Sequence, residues 1–207
     1  MWVKEKFLKT IHKLRNKFFL FFFIACFFSN SSISETKTTS DIAEYIIGLK
    51  NFKCNFIQAN PDGSISEGTM IYSDKKIRID YESPSKIIFI AREKKAMYFN
   101  KDLEEVHYFN PNKTAFNIFN SIFDLNNLSK DLYTIKIEES VIEILMNNLN
   151  VEDIKVFKII FQNNPLLLKK IIWEETSGKS VFSVYNIEKN PLTSKRTFSM
   201  AHPLINN

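Results

Sequence analysis

The chain has 207 residues, 28 basic and 23 acidic, and 44% of its side chains are hydrophobic. That length supports one domain with a substantial core. Residues 1–34 hold six of the basic residues and one acidic residue, which leaves 22 of each sign in residues 35–207 and excludes the basic footprint of a nucleic-acid binder.

The first stretch is a leader. Lys4, Lys6, Lys9, Lys13, Arg15 and Lys17 precede an apolar run of 11 residues, Phe18 to Phe28. A spanning helix needs about 20 apolar residues, whereas a secretory signal uses roughly 7–15. Ser32 and Ser34 supply the small residues for a cut before Glu35. We therefore expect a signal peptide over 1–34, export to the periplasm, and a single domain over 35–207. An alternative lies in Ile24-Ala25-Cys26, which resembles a lipoprotein processing site with Phe23 where leucine is usual. After cleavage at Ser34 the one remaining cysteine is Cys54. It alternates with Phe52 and Phe56 and is expected as a small buried residue, not a nucleophile or ligand.

Asp41-Ile42-Ala43-Glu44 starts a helix, with Ser40 or Asp41 as the cap. Ile42, Tyr45, Ile46 and Leu49 then form one apolar stripe. Phe52 to Gln58 is the first strand, Asn60-Pro61-Asp62-Gly63 a turn, and Ile65 to Tyr72 the next strand. In residues 68–109 five short strands follow one another. Ile77, Ile79 and Tyr81 alternate with Arg78 and Asp80, the period of a half-buried strand. Ser83-Pro84 ends it, because proline has no N–H for the ladder. Ile87 to Ile90 is apolar on both faces, so alternation leaves Phe89 free to point either way, and Met97 likewise. Polar turns at 92–95 and 101–102 separate the last strands, which makes an antiparallel meander.

After Asn110-Pro111-Asn112 the pattern becomes helical. Phe116, Phe119, Ile122 and Phe123 share a face, and Asp124 to Lys130 is expected as a second short helix. Strands resume at Tyr133–Glu138, Val141–Met146, Lys155–Phe161, Leu166–Trp173, Lys179–Asn186 and Ser194–Met200. In Lys155–Phe161 the neighbours Val156-Phe157 and Ile159-Ile160 leave the facing ambiguous. The fold class is α+β, mainly antiparallel β.

No catalytic set emerges. Beyond His12 the only histidines are His107 and His202, and zinc spacings are absent. There is no nucleophile elbow, and four glycines in the whole chain argue against a phosphate-cradling loop. We expect neither an enzyme, nor a metal, nor a cofactor. Twelve of the twenty phenylalanines lie beyond the leader. They suit either a thick filled core or a core with an apolar vacancy.

Gly68, Ile77-Arg78-Ile79-Asp80-Tyr81, Pro84, Met97-Tyr98-Phe99-Asn100 and Glu105-Val106, in that order, resemble the outer-membrane lipoprotein carrier protein family, LolA. Asn55-Phe56-Ile57-Gln58, Asp62-Gly63, Thr114 to Phe119, and Trp173, Glu174 and Gly178 extend the resemblance over about residues 40–203. It implies an incomplete, half-open β-barrel of ten or eleven strands, with an N-terminal helix and a short helical insert covering the concave face. It further implies a monomeric carrier of triacylated lipoproteins, loaded by an inner-membrane ABC transporter and unloaded by an outer-membrane receptor. Met70, Ile77, Ile79, Tyr81, Phe89, Met97 and Phe99 are then expected to line the concave face. Ile42, Ile46, Phe116 and Phe119 are expected to face it from the helical lid. The family's Arg-Pro, whose arginine ties down the lid, is replaced here by Ser73-Asp74.

Overall fold

The computed structural model describes residues 38–123, 129–147, 149, 151 and 153–203. The leader, the Cys26 site and most of the helix expected over Asp124–Lys130 lie outside the described residues.

The first helix, α1, spans Thr39–Gly48. Its cap is Thr38, earlier than expected. The Thr38 hydroxyl accepts from the Asp41 N–H at 3.2 Å, and the Thr38 N–H donates to the Asp41 carboxylate at 2.7 Å. This capping box satisfies two orphan donors reciprocally, so Asp41 is its third helical residue and not its cap.

Eleven strands follow: β1 (Asn51–Ala59), β2 (Ile65–Ser73), β3 (Lys76–Ser83), β4 (Ile87–Arg92), β5 (Lys95–Asn100), β6 (Glu105–Phe109), β7 (Tyr133–Ile137), β8 (Val141–Met146), β9 (Ile154–Gln162), β10 (Leu167–Glu175) and β11 (Gly178–Lys189). A second helix, α2 (Ala115–Ile122), lies between β6 and β7. The strands form one antiparallel sheet in the order β6-β5-β4-β3-β2-β1-β11-β10-β9-β8-β7. Two meanders are thus joined where β1 pairs with β11. The sheet is unclosed, since β6 and β7 are its edges, and the α2 connection crosses between them. The expected half-open α+β barrel is the fold observed.

Turn chemistry sets the register. Asp74 and Lys75 both have positive φ, 44° and 62°. Two such central residues make the hairpin turn whose twist matches its strands, and it pairs Ser73 with Lys76. The Ser73-Asp74 departure from the family pattern is therefore half of a tight turn. At Gly68, beside a register shift between β2 and β3, an added Cβ would lie 2.0 Å from the Asp80 carbonyl oxygen.

Alternation assigns the faces. Phe52, Cys54 and Phe56 on β1, Met70 and Tyr72 on β2, and Phe182 and Val184 on β11 are buried on the concave side. The ambiguity in β9 is resolved by an irregularity opposite Glu174 and Glu175. One extra residue on β9 returns Ile154 to the face of Phe157, Ile159 and Phe161, all four buried.

Residues 194–200 are not a strand. They run as turns across the convex face, where Phe198 and Met200 pack with Ile90, Met97 and Phe99. Three side chains hold this strap by its backbone. Arg78 donates to the Thr197 carbonyl at 3.2 Å, Arg92 to that of Phe198 at 2.8 Å, and Tyr108 to that of Met200 at 3.2 Å. With its carbonyls engaged by side chains, the segment does not extend the sheet.

Candidate functional site

The concave face carries a cavity of about 240 Å³. Met70 from β2, Ile77, Ile79 and Tyr81 from β3, and Phe89 from β4 form one wall. Phe157 from β9, Ile171 and Trp173 from β10, and Phe182 from β11 form the other. Thr114, Ala115, Phe116 and Phe119 cover it from the start of α2.

Strand register gives the cavity two unlike ends. Gln58, Tyr81 and Glu175 sit at one end, by the β1–β2, β3–β4 and β10–β11 turns. The Tyr81 hydroxyl donates to Gln58 Oε1 at 3.0 Å, and Gln58 Nε2 donates to Asn60 Oδ1 at 2.6 Å. Burial pushes the Tyr81 phenol up to about 12, so it stays neutral at neutral pH. The opposite end is closed by aromatic packing. Tyr72 stacks on Phe123 at 4.3 Å and meets Phe119 edge-on at 5.5 Å.

Both helices are tied to the sheet by tyrosine hydroxyls. Tyr72 donates to Asn120 Oδ1 of α2 at 2.9 Å. Tyr45 of α1 accepts from the Leu168 N–H of β10 at 3.0 Å, and its ring meets Phe161 edge-on. Since Phe161 pairs with Leu168, far from the Glu175 end of β10, α1 sits at the closed end. Ile42 and Ile46 are 0% and 2% exposed. They pack in the concave-side core with Phe52, Phe56 and Tyr72, while Ala115, Phe116 and Phe119 are the helical residues that line the cavity.

A correction concerns Met97 and Phe99. They face the convex side, in the cluster with Ile90, Phe198 and Met200. Met97 pairs with Ile90, which pairs with Arg78, and Arg78 reaches the strap. Phe89, between Ile88 and Ile90, points inward. The neighbours Ala96 and Tyr98 hold the concave positions of β5, by their pairing with Ala91 and Phe89. Sequence reasoning did not place Gln58, Phe157, Ile171, Trp173, Glu175 or Phe182 on the cavity. The β1 alternation continuing from Phe56 was a usable signal for Gln58, while Glu175 required the β10 register.

Cys54 is 1% exposed, and desolvation pushes its thiol up to about 12. It is an unreactive core residue.

The described residues form an unclosed antiparallel half-barrel with helices over an apolar concave cavity. The chain belongs to the outer membrane lipoprotein carrier protein LolA family, whose model matches residues 48–201. No curated protein matches it in sequence. Among solved structures, an uncharacterized conserved protein from Thermus thermophilus is 6% identical, covering 78% of this chain and 93% of that one at a TM-score of 0.48. A LolA superfamily protein from Nitrosomonas europaea is 12% identical, with coverage of 79% and 98% and a TM-score of 0.40. The MucA/MucB complex structure from Pseudomonas aeruginosa gives 9% identity, coverage of 79% and 62%, and a TM-score of 0.40. None of these three likenesses bears on function.

Proposed function

We propose that this protein is a periplasmic carrier that shields the acyl chains of lipoproteins released from the inner membrane and hands them to an outer-membrane acceptor. The observation that carries the reading is the apolar cavity between the sheet and α2, in a chain of the lipoprotein carrier family. Met70, Ile77, Ile79, Tyr81 and Phe89 are its acyl-contacting wall, and Phe116 and Phe119 its movable cover.

The physics demands such a shield. Each buried CH₂ contributes about 0.8 kcal/mol, so three chains of ~15 methylenes gain roughly 35 kcal/mol on leaving water. Free cargo therefore does not cross an aqueous space. The cavity of about 240 Å³ is smaller than the roughly 300–1,000 Å³ of ordinary ligand pockets. Loading must therefore displace α2 and open the aromatic packing around Tyr72. That cost keeps affinity below that of the next acceptor, and transfer runs on a difference of affinities with no bond chemistry in the carrier. An inner-membrane ABC transporter supplies the cargo and an outer-membrane receptor takes it.

We also propose that residues 1–34 are removed on export, which the intact mass of the secreted protein checks. The carrier test is release of a dye-tagged triacylated lipoprotein from spheroplasts carrying the cognate exporter. A soluble one-to-one complex, abolished by Ile79→Glu, supports the reading. Failure of the folded protein to release cargo overturns it.

A further inference from the structure

The charges of residues 35–207 balance in number but not in place. At the closed end of β1 to β5, the start of β1 and the β2–β3 and β4–β5 turns carry Lys50, Lys75, Lys76, Arg92, Lys94 and Lys95, all exposed, against Asp74 and Glu93. Register makes them neighbours. The Asp74 N–H donates to the Lys50 carbonyl at 3.0 Å, Lys76 pairs with Ser73, Ile77 with Ala91, and Arg92 with Lys95. Strands about 4.8 Å apart spread this row over roughly 20 Å. The strap extends it: Lys195 and Arg196 are exposed and directly precede Thr197 and Phe198, whose carbonyls are held by Arg78 and Arg92. Among the described residues no carboxylate forms an ion pair with Lys50, Lys76, Lys94, Lys95, Lys195 or Arg196. On the other half of the sheet the same end carries Glu138 and Glu139 beyond β7, so the basic surface is confined to the β1–β5 half. The opposite ends of these strands have the opposite sign, with Asp62, Glu82, Asp102, Glu104 and Glu105 exposed against Lys86 and Lys101. Along β3, which is 8 residues long, the two ends lie about 25 Å apart, well beyond the roughly 8 Å screening length at physiological ionic strength. Each end therefore acts on a partner by itself.

A row of lysines on turns suits a diffuse anionic surface better than a fitted protein interface, whose core is depleted in lysine and enriched in aromatic residues. An apolar residue stands beside the row. The Asn190 N–H donates to the Asn51 carbonyl at 2.9 Å, which places it next to Lys50, and two residues further on Leu192 is fully exposed. Lysines around an exposed leucine are the pairing with which a peripheral protein meets a bilayer: anionic head groups attract the cations, and the leucine enters the boundary of the acyl region. We infer that the closed end of β1 to β5, with Leu192, is a docking surface for a membrane bearing anionic phospholipid. Docking by this end turns the acidic, polar end of the cavity away from the bilayer, and the like charge of the head groups holds it there. On the carrier reading, this keeps bulk lipid from the cavity and leaves loading to a protein that reaches beyond the bilayer surface. The docking itself needs no cargo, so it stands or falls apart from that reading.

The experiment is co-sedimentation of residues 35–207, which lack the basic leader, with vesicles of mixed phosphatidylglycerol and phosphatidylcholine or of phosphatidylcholine alone, at pH 7. We expect binding to the anionic vesicles to be about tenfold tighter or more, and to weaken about tenfold between low and physiological salt. The double variant Lys76→Gln, Lys94→Gln should weaken it about tenfold, and Leu192→Ser about threefold. The double variant Lys86→Gln, Lys101→Gln removes as much positive charge from the opposite end and should stay within about twofold of the wild type. Unchanged unfolding midpoints confirm that each variant is folded. Equal binding to the two vesicles, binding to neither, or a loss as large from the Lys86 and Lys101 pair as from the Lys76 and Lys94 pair overturns the inference. Retention on immobilised polyglutamate, lost in the Lys76 and Lys94 variant, by a protein that ignores the anionic vesicles overturns it in favour of an acidic protein partner.

Discussion

Over β3 to β5 the concave face carries Ile77, Ile79, Tyr81 and Phe89 and keeps a cavity, whereas the convex face carries Ile90, Met97 and Phe99 and is sealed by Phe198 and Met200. The residue types are alike; what covers them differs. The convex cover is a strap of the same chain, held by three side-chain bonds to its backbone carbonyls. The concave cover is the eight-residue helix α2, joined to Tyr72 by a side-chain hydrogen bond and by ring packing, with space under its first turn. The convex cover is fastened through its backbone carbonyls. The α2 cover is joined to Tyr72 through side chains, and on the carrier reading proposed above it is the cover that opens.

The largest effect expected breaks both faces at once. Gly68→Ala drives a Cβ into the Asp80 carbonyl at 2.0 Å, backbone against backbone. We expect a loss of about 3 kcal/mol or more in denaturant unfolding, since neither strand can yield without losing register. Two large-to-small changes then separate the faces. Phe198→Ala and Phe119→Ala should each cost roughly 3 kcal/mol, because both rings are buried. Acyl-dye affinity should be unchanged by the first and altered by the second. Equal effects on binding would contradict the assignment of roles.

A pH experiment tests the core behind the cavity. Cys54 has its folded pKa raised from 9.0 to about 12 by burial. The unfolded chain therefore loses this proton first. The contribution is fully present below pH 9 and is lost as pH rises from about 9 to 12, at roughly 1.4 kcal/mol per pH unit. Unfolding midpoints across that window should fall less steeply in Cys54→Ala than in the wild type. The smallest change is Tyr72→Phe, which removes the hydroxyl bonded to Asn120. It should cost about 1 kcal/mol of stability and tighten acyl binding, because the closed state loses part of its advantage. Weaker acyl binding would show that α2 is not the cover that moves.

The order of strands was legible in the sequence because the turns between 72 and 103 are short and polar and the strands between them alternate. Faces were legible where one side of a strand is polar, as in β3, whose Arg78 and Asp80 mark the outside. They were not legible for β4 and β5, because the strap makes the outside apolar too, so Met97 and Phe99 look like lining. The strap itself resembled a strand, since Phe198 and Met200 alternate; its tie to Arg78 and Arg92 spans more than 100 residues of chain and leaves no local mark. For the site, the β3 wall and the α2 cover were visible as periodic apolar residues. Glu175 was not, because a carboxylate next to a turn looks the same whether it faces water or a cavity.

The central claim is that acyl chains enter the space beneath α2, and Trp173 reports on it directly. It lines the cavity and is the only tryptophan in residues 35–207. Titration of residues 35–207 with a long-chain acyl amphiphile brominated near its chain end should quench Trp173 fluorescence saturably, at one ligand per protein, and Ile79→Glu should abolish the quenching. A folded wild-type protein whose Trp173 emission is untouched at saturating amphiphile would contradict the account.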